Sequence, residues 1–155
     1  MIKMMKTKMV VFDMDGVLAG LYDVNGWLED LHNENTRPYD IAEPLVDMIT
    51  LNNILTNLKA YGYRIAVVSW LAKDATKRYD DMVRIAKRNW LNKFDFPYDE
   101  IHLVKYGTTK ANAVRKKTDY AILIDDNADI RKGWTLGETV NPITTNIIEF
   151  LENLL

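Results

Sequence analysis

Residues 9–12 read Met-Val-Val-Phe, an apolar run without polar alternation, and a strand of that kind must be covered on both faces. A parallel sheet between layers of helix supplies such cover, whereas an antiparallel sheet with one wet face would alternate apolar and polar residues. Similar short runs recur, giving strand expectations at 8–12, 64–68, 101–104 and 120–124, with a weaker one at 138–140. Helical spacing fills the intervals. Leu45, Met48, Ile49, Asn52, Leu55 and Leu58 follow steps of three and four, and Gly62 supplies a stop. Asp74 is placed to cap a helix running to about Trp90, with Tyr79, Met82, Val83, Ala86 and Trp90 on its inner face. Shorter helices are expected at 110–116, at 128–132 and around Ile147, Ile148 and Leu151. Strands alternating with helices predict an α/β domain.

A length of 155 residues suits one domain, and 48% hydrophobic with 27% charged residues is the balance of an ordinary globular protein. The net charge of −2 offers no general basic field for a nucleic-acid backbone. Arg115-Lys116-Lys117 is a short basic cluster that reads as a solvated helix end complementing the dipole. Without cysteine there is no disulfide framework and no thiolate zinc site. Residues 1–6 are too short and too interrupted by lysine for a signal-peptide core, and no stretch approaches the roughly 20 apolar residues of a membrane span. A cytoplasmic protein with no membrane partner is expected. Trp90, Phe94, Phe96 and Tyr98 read as packing residues, and His32 and His102, lacking metal-ligand spacing, as structural.

The chemistry concentrates at strand ends. Phe12-Asp13-Met14-Asp15-Gly16-Val17 sets two carboxylates one residue apart where the first strand stops, the place at which open α/β sheets bind ligands. Asp and Gly are also ordinary turn residues. A calcium loop counted from Asp13 is excluded, because its positions 5, 6 and 12 fall on Val17, Leu18 and Val24. Convergence separates the remaining alternatives: Ser69 follows the second strand, Lys110 lies a short loop beyond the third, and Asp125 with Asp126 follow the fourth. In a parallel sheet these ends share one rim. Asp13 is the candidate nucleophile toward phosphorus, and Asp15 the candidate acid and base. Asp125 and Asp126 offer the hard oxygen ligands that Mg²⁺ prefers, while Ser69 and Lys110 suit phosphoryl oxygens. Lys105 lies nearer the third strand, but Lys110 follows the turn Tyr106-Gly107-Thr108-Thr109, which can present a lysine at a helix start, and is preferred.

Asp13-Met14-Asp15-Gly16-Val17, Val68-Ser69, Lys110 and Leu123-Ile124-Asp125-Asp126 resemble the four motifs of the haloacid dehalogenase (HAD) superfamily, spanning 10–127. The resemblance implies a three-layer α/β/α Rossmann-like fold with a parallel sheet of about five strands in the order 5-4-1-2-3. It further implies Mg²⁺ held by Asp13, by Asp15 through its main-chain carbonyl, and by Asp125 or Asp126. Dehalogenases lack the second aspartate and transport ATPases carry lysine after the first, so Asp15 and Met14 favour phosphomonoester hydrolysis through an aspartyl-phosphate. The wording at 12–19 and 123–127 is similar to the 5′(3′)-deoxyribonucleotidase-like group, which implies a nucleoside monophosphate as substrate. Those enzymes carry a helical cap after the first motif, whereas only residues 19–43 are available here, enough for a flap or minimal cap with Trp27, Leu28 and Leu31 as its apolar anchor. A site so lightly covered would accept polynucleotide ends or phosphoproteins, or would borrow cover from a second subunit in a homo-oligomer. Trp70, beside Ser69, could stack a base. The competing expectation is a catalytically silent binding module.

Overall fold

A computed structural model describes residues 7–155; the expectation about residues 1–6 lies outside them. Five parallel strands form one sheet: β1 (Lys8–Phe12), β2 (Tyr63–Trp70), β3 (Glu100–Val104), β4 (Tyr120–Ile124) and the two-residue β5 (Thr139–Val140). Their order is β3-β2-β1-β4-β5, the order expected, with β1 at the centre. Phe12 stands opposite Val67 on one side and Ile124 on the other, so Asp13 and Asp125 leave the sheet at the same level.

Strand geometry turns successive side chains to opposite faces. Val10, Phe12, Ile65, Val67, Ile122 and Ile124 face α3 (Met48–Ala60) and α7 (Ile147–Glu152), while Met9, Val11, Ala66, Val68, Ala121 and Leu123 face α5 (Ala111–Val114) and Trp134. Both faces are dry, as the unalternated run at 9–12 requires. A third cluster joins α4 (Lys77–Lys93) to Leu103 of β3 and to Leu21 and Tyr39 from the segment after β1. Three layers result. Among the described residues no helix is long and apolar enough to cross a membrane.

Several local expectations shift. Asp47 caps α3, so Leu45 precedes the helix, and Ile49 is 78% exposed because at about 100° per residue it lies nearly opposite Leu51. Thr76, not Asp74, caps α4: its hydroxyl accepts from the Tyr79 N–H, while Asp74 occupies a left-handed turn at φ 55°. Met82 sits on the rim of α4 rather than its inner face. The helix expected at 110–116 is only the four residues of α5, and Arg115, Lys116 and Lys117 follow it exposed, whereas α6 (Ala128–Lys132) keeps the bounds expected.

The segment 19–43 is a cap of short helical turns: a 3₁₀ turn at Leu21–Asp23, α1 (Trp27–His32) and α2 (Arg37–Ile41). It is pinned to the body. The Thr76 hydroxyl donates to Glu34 at 2.8 Å, the Tyr79 hydroxyl to the Asn35 carbonyl at 2.8 Å, and the Trp90 indole to the Ala42 carbonyl at 2.8 Å. Of the expected apolar anchor, Leu31 packs against the cluster of Leu21, Tyr39 and Tyr79, whereas Trp27 and Leu28 do not join it. They line a cavity between cap and sheet, and Leu28 remains half exposed.

Candidate active site

The turn after β1 is built to close tightly. Asp13 N–H donates to the Ile124 carbonyl at 3.0 Å, and the Leu18 and Ala19 N–H groups return to the Met14 carbonyl at 2.9 and 3.0 Å. Gly16 sits at φ 81°, and a Cβ there would run into the Asp126 carboxylate. Glycine is required twice over: for its backbone angle and for the room it leaves a neighbouring acid.

Asp13, Asp125 and Asp126 each offer a carboxylate oxygen, all within 4.8 Å of one another. Lys110 joins two of them, its ammonium donating to Asp13 Oδ1 at 3.0 Å and to Asp125 Oδ2 at 2.8 Å. The other Asp125 oxygen accepts the Asn127 N–H at 2.9 Å. Burial drives the Asp13 carboxyl well above the usual carboxylate range; Lys110 opposes this, and Asp125 and Asp15 add to it. Asp126 is also raised, first by burial, with a hydrogen bond to Asp13 opposing and the Asp125 charge adding. Burial would push the Lys110 ammonium down, but Asp13 and Asp125 outweigh it and hold it above its ordinary value. Three close acids with one shared ammonium are short of positive charge. Their hard oxygen donors fit a divalent cation of the Mg²⁺ kind.

The Asp15 side chain goes elsewhere. Its Oδ2 accepts from Lys87 at 2.8 Å, and the same ammonium donates to Ser69 Oγ at 2.7 Å and the Trp70 carbonyl at 2.8 Å. Lys87 was not among the residues expected from sequence, although a signal existed. It lies four residues after Val83 and three before Trp90, both buried, so helical spacing puts a charge where an apolar side chain belongs.

Asp13, Asp15, Ser69, Lys110 and Asp126 all line one cavity of about 410 Å³, and Asp125 lies beneath it with none of its surface exposed. Lys105 stands apart on an exposed shoulder. His102 shares a 2.8 Å hydrogen bond with Glu100, whereas His32 reaches the cavity rim from the cap. The upper walls are aromatic. Tyr22 and Trp27 meet edge to face at 5.0 Å on the cap side, and Trp70 and Tyr106 lie 4.8 Å apart on the sheet side. The Trp70 indole N–H is already given to the Thr108 carbonyl at 2.8 Å, which leaves that side chain only its ring face to offer. Beyond Trp70 and Tyr106 a second depression of about 350 Å³ continues along the turn at 107–109.

Neither a protein-family model nor a curated protein matches this sequence. Solved structures do. The D,D-heptose 1,7-bisphosphate phosphatase from Burkholderia thailandensis matches with a TM-score of 0.53 at 13% identity, over 95% of this chain and 97% of that one. The HAD domain of the effector protein Lem4 from Legionella pneumophila matches with a TM-score of 0.51, also at 13% identity, over 96% and 94%. At this identity the likeness is one of fold, and the chain shares the Rossmann-like α/β fold of these proteins across nearly its whole length.

Proposed function

We propose that the chain is a Mg²⁺-dependent phosphomonoester hydrolase that works through an aspartyl-phosphate on Asp13. The observation that carries this reading is the meeting, at one cavity, of a three-carboxylate group that includes the strand-end Asp13 with a further acid, Asp15, held apart from it. Asp13, Asp125 and Asp126 side chains, with the Asp15 carbonyl, would hold the ion, which when bound would offset the repulsion between an anionic nucleophile and a phosphate.

An Asp13 carboxylate oxygen attacks phosphorus as the bond to the leaving oxygen breaks. Asp15 gives that oxygen a proton, then takes one from the water that attacks the acyl-phosphate and returns Asp13 to a free carboxylate. Two of the three Lys110 donors are committed to Asp13 and Asp125, and the third serves a phosphoryl oxygen together with Ser69.

A nucleoside monophosphate is the substrate we favour. The aromatic walls suit a flat base, which every base can satisfy through its π-face. With Lys110 committed, Lys73 is the remaining ammonium among the described residues lining the cavity, a sparse provision for a second phosphate. The second depression past Trp70 favours one further reading, a phosphorylated polynucleotide end that continues along it. A cytoplasmic setting accords with the absence of cysteine.

The test is a panel of nucleoside monophosphates, sugar phosphates, a phosphopeptide, and oligonucleotides phosphorylated at the 3′ or 5′ end, each with Mg²⁺ and with chelator. Turnover of nucleoside monophosphates that chelator removes and Asp13→Asn abolishes is the expected result. Preference for a phosphorylated oligonucleotide end or the phosphopeptide would replace the substrate. No metal-dependent turnover of any phosphoester would leave a silent binding module.

A further inference from the structure

Lys87 arises in the middle of α4 and has none of its surface exposed, yet the chemistry proposed above makes no use of it. An ammonium has three N–H donors and no acceptor. Lys87 places them on Asp15 Oδ2, Ser69 Oγ and the Trp70 carbonyl, and the Tyr39 ring of the cap lies over it with its centroid 5.3 Å from Nζ. Stability alone is a weak reason for this arrangement, since a buried ion pair often gains nothing over apolar side chains of similar volume. The position of the lysine is better accounted for by what it holds.

It holds one oxygen of Asp15. Oδ2 is fixed, while Oδ1 has no hydrogen-bond partner among the described residues and the residue faces the cavity. We propose that Lys87 is a positioning residue for Asp15: it clamps Oδ2 against the end of β2, keeps this carboxylate out of the group formed by Asp13, Asp125 and Asp126, and leaves Oδ1 to the leaving oxygen. The inference rests on the phosphatase reading above. In the step concerned the bond from phosphorus to the leaving oxygen breaks, the bond from phosphorus to Asp13 forms, and the proton passes from Asp15 to the leaving oxygen. Lys87 exchanges no proton. Its contribution is geometric, and a misplacement of about 1 Å in such a group is enough to lose roughly 10²-fold in rate.

Lys87→Met, Asp15→Asn and the double variant are to be compared with the unmutated protein in Mg²⁺, after melting curves establish folding. On an alkyl phosphate Lys87→Met is expected to lower kcat by about 10²-fold with KM changed less than about twofold. On p-nitrophenyl phosphate, whose leaving group needs no proton, the loss should be roughly tenfold smaller. In the Asp15→Asn background the same substitution should cost at most a few-fold, the remainder that its contact with Ser69 accounts for, because its main action is through Asp15. Lys87→Arg should recover part of the loss. Losses that multiply, or an unchanged kcat in folded Lys87→Met, would overturn the inference. Should Lys87→Met fail to fold, Lys87→Gln replaces it under the same two outcomes. A crystal structure of the variant gives a readout free of turnover: Asp15 should leave its place beside Ser69, and its remaining there would overturn the clamp. An unmutated protein without metal-dependent turnover sinks the phosphatase reading and this inference together, whereas turnover with multiplying losses sinks the inference alone.

Discussion

Two ammonium groups divide the acids of this site. Lys110 lies among Asp13 and Asp125, beside Asp126, where carboxylates outnumber it; Lys87 meets a single carboxylate, a hydroxyl and a carbonyl, and its donors are matched one to one. The first cluster is short of positive charge and open to a cation, and the second is complete without one. In the proposed reaction, carboxylates with the same intrinsic chemistry are thus given different work by their neighbours, as environment commonly does for paired acids.

The contrast can be broken by mutation. Lys110→Met should have the largest effect, a loss of about 10³-fold in kcat, because it removes a phosphoryl contact and leaves Asp13 and Asp125 unrelieved; steady-state kinetics at saturating Mg²⁺ would show it. Asp125→Asn should raise the Mg²⁺ concentration for half-maximal activity by about 10- to 100-fold, read from an activity titration. If Asp15→Asn moved that midpoint as far, the proposed division between the clusters would fail. Trp70→Ala keeps the main-chain carbonyl that Lys87 uses and removes only the ring, and should raise KM for a nucleoside monophosphate by about tenfold with a smaller effect on a small alkyl phosphate.

The smallest effect marks a pair remote from the cavity. Burial pushes the Glu100 carboxyl up, but hydrogen bonds from His102 and Arg64 and the Lys117 charge more than offset this, so its folded value lies below the ordinary 4.5. A lowered carboxylate contributes stability above its unfolded value and loses that contribution as pH falls through the folded one. Glu100→Gln should therefore melt a few degrees lower than the unmutated protein near neutrality, with the gap closing below about pH 4 and turnover unchanged. Thermal melts across pH would check it.

The difference between the clusters also explains what the sequence disclosed. Asp13, Ser69 and Asp125 each follow an unbroken apolar run directly, with Asp15 two residues after the first of them, and parallel strand ends share a rim, so their convergence was readable without coordinates. The sheet order followed from the motif resemblance. Lys87 was hidden because its meaning depends on α4 packing across the rim, and Ile49 and Met82 were misplaced because a spacing pattern does not fix the rotation of a helix about its axis. The cap was the least legible. Its turns are too short to show periodicity, and contacts such as Glu34 with Thr76 span 42 residues.

The central place of β1 bears on how the molecule is assembled. Its partner β2 follows within the first half of the chain, but β4, which covers its other flank and delivers Asp125, begins only at Tyr120. Until that late segment emerges from the ribosome, the strand bearing Asp13 has one row of amides and carbonyls unpaired and an apolar surface without its full cover, the condition in which nascent sheets are most open to mispairing. A segment made well after β1 thus completes both the hydrophobic interior and the group of carboxylates at the cavity, so that a chain interrupted before it would be aggregation-prone and lack Asp125 and Asp126 for one and the same reason.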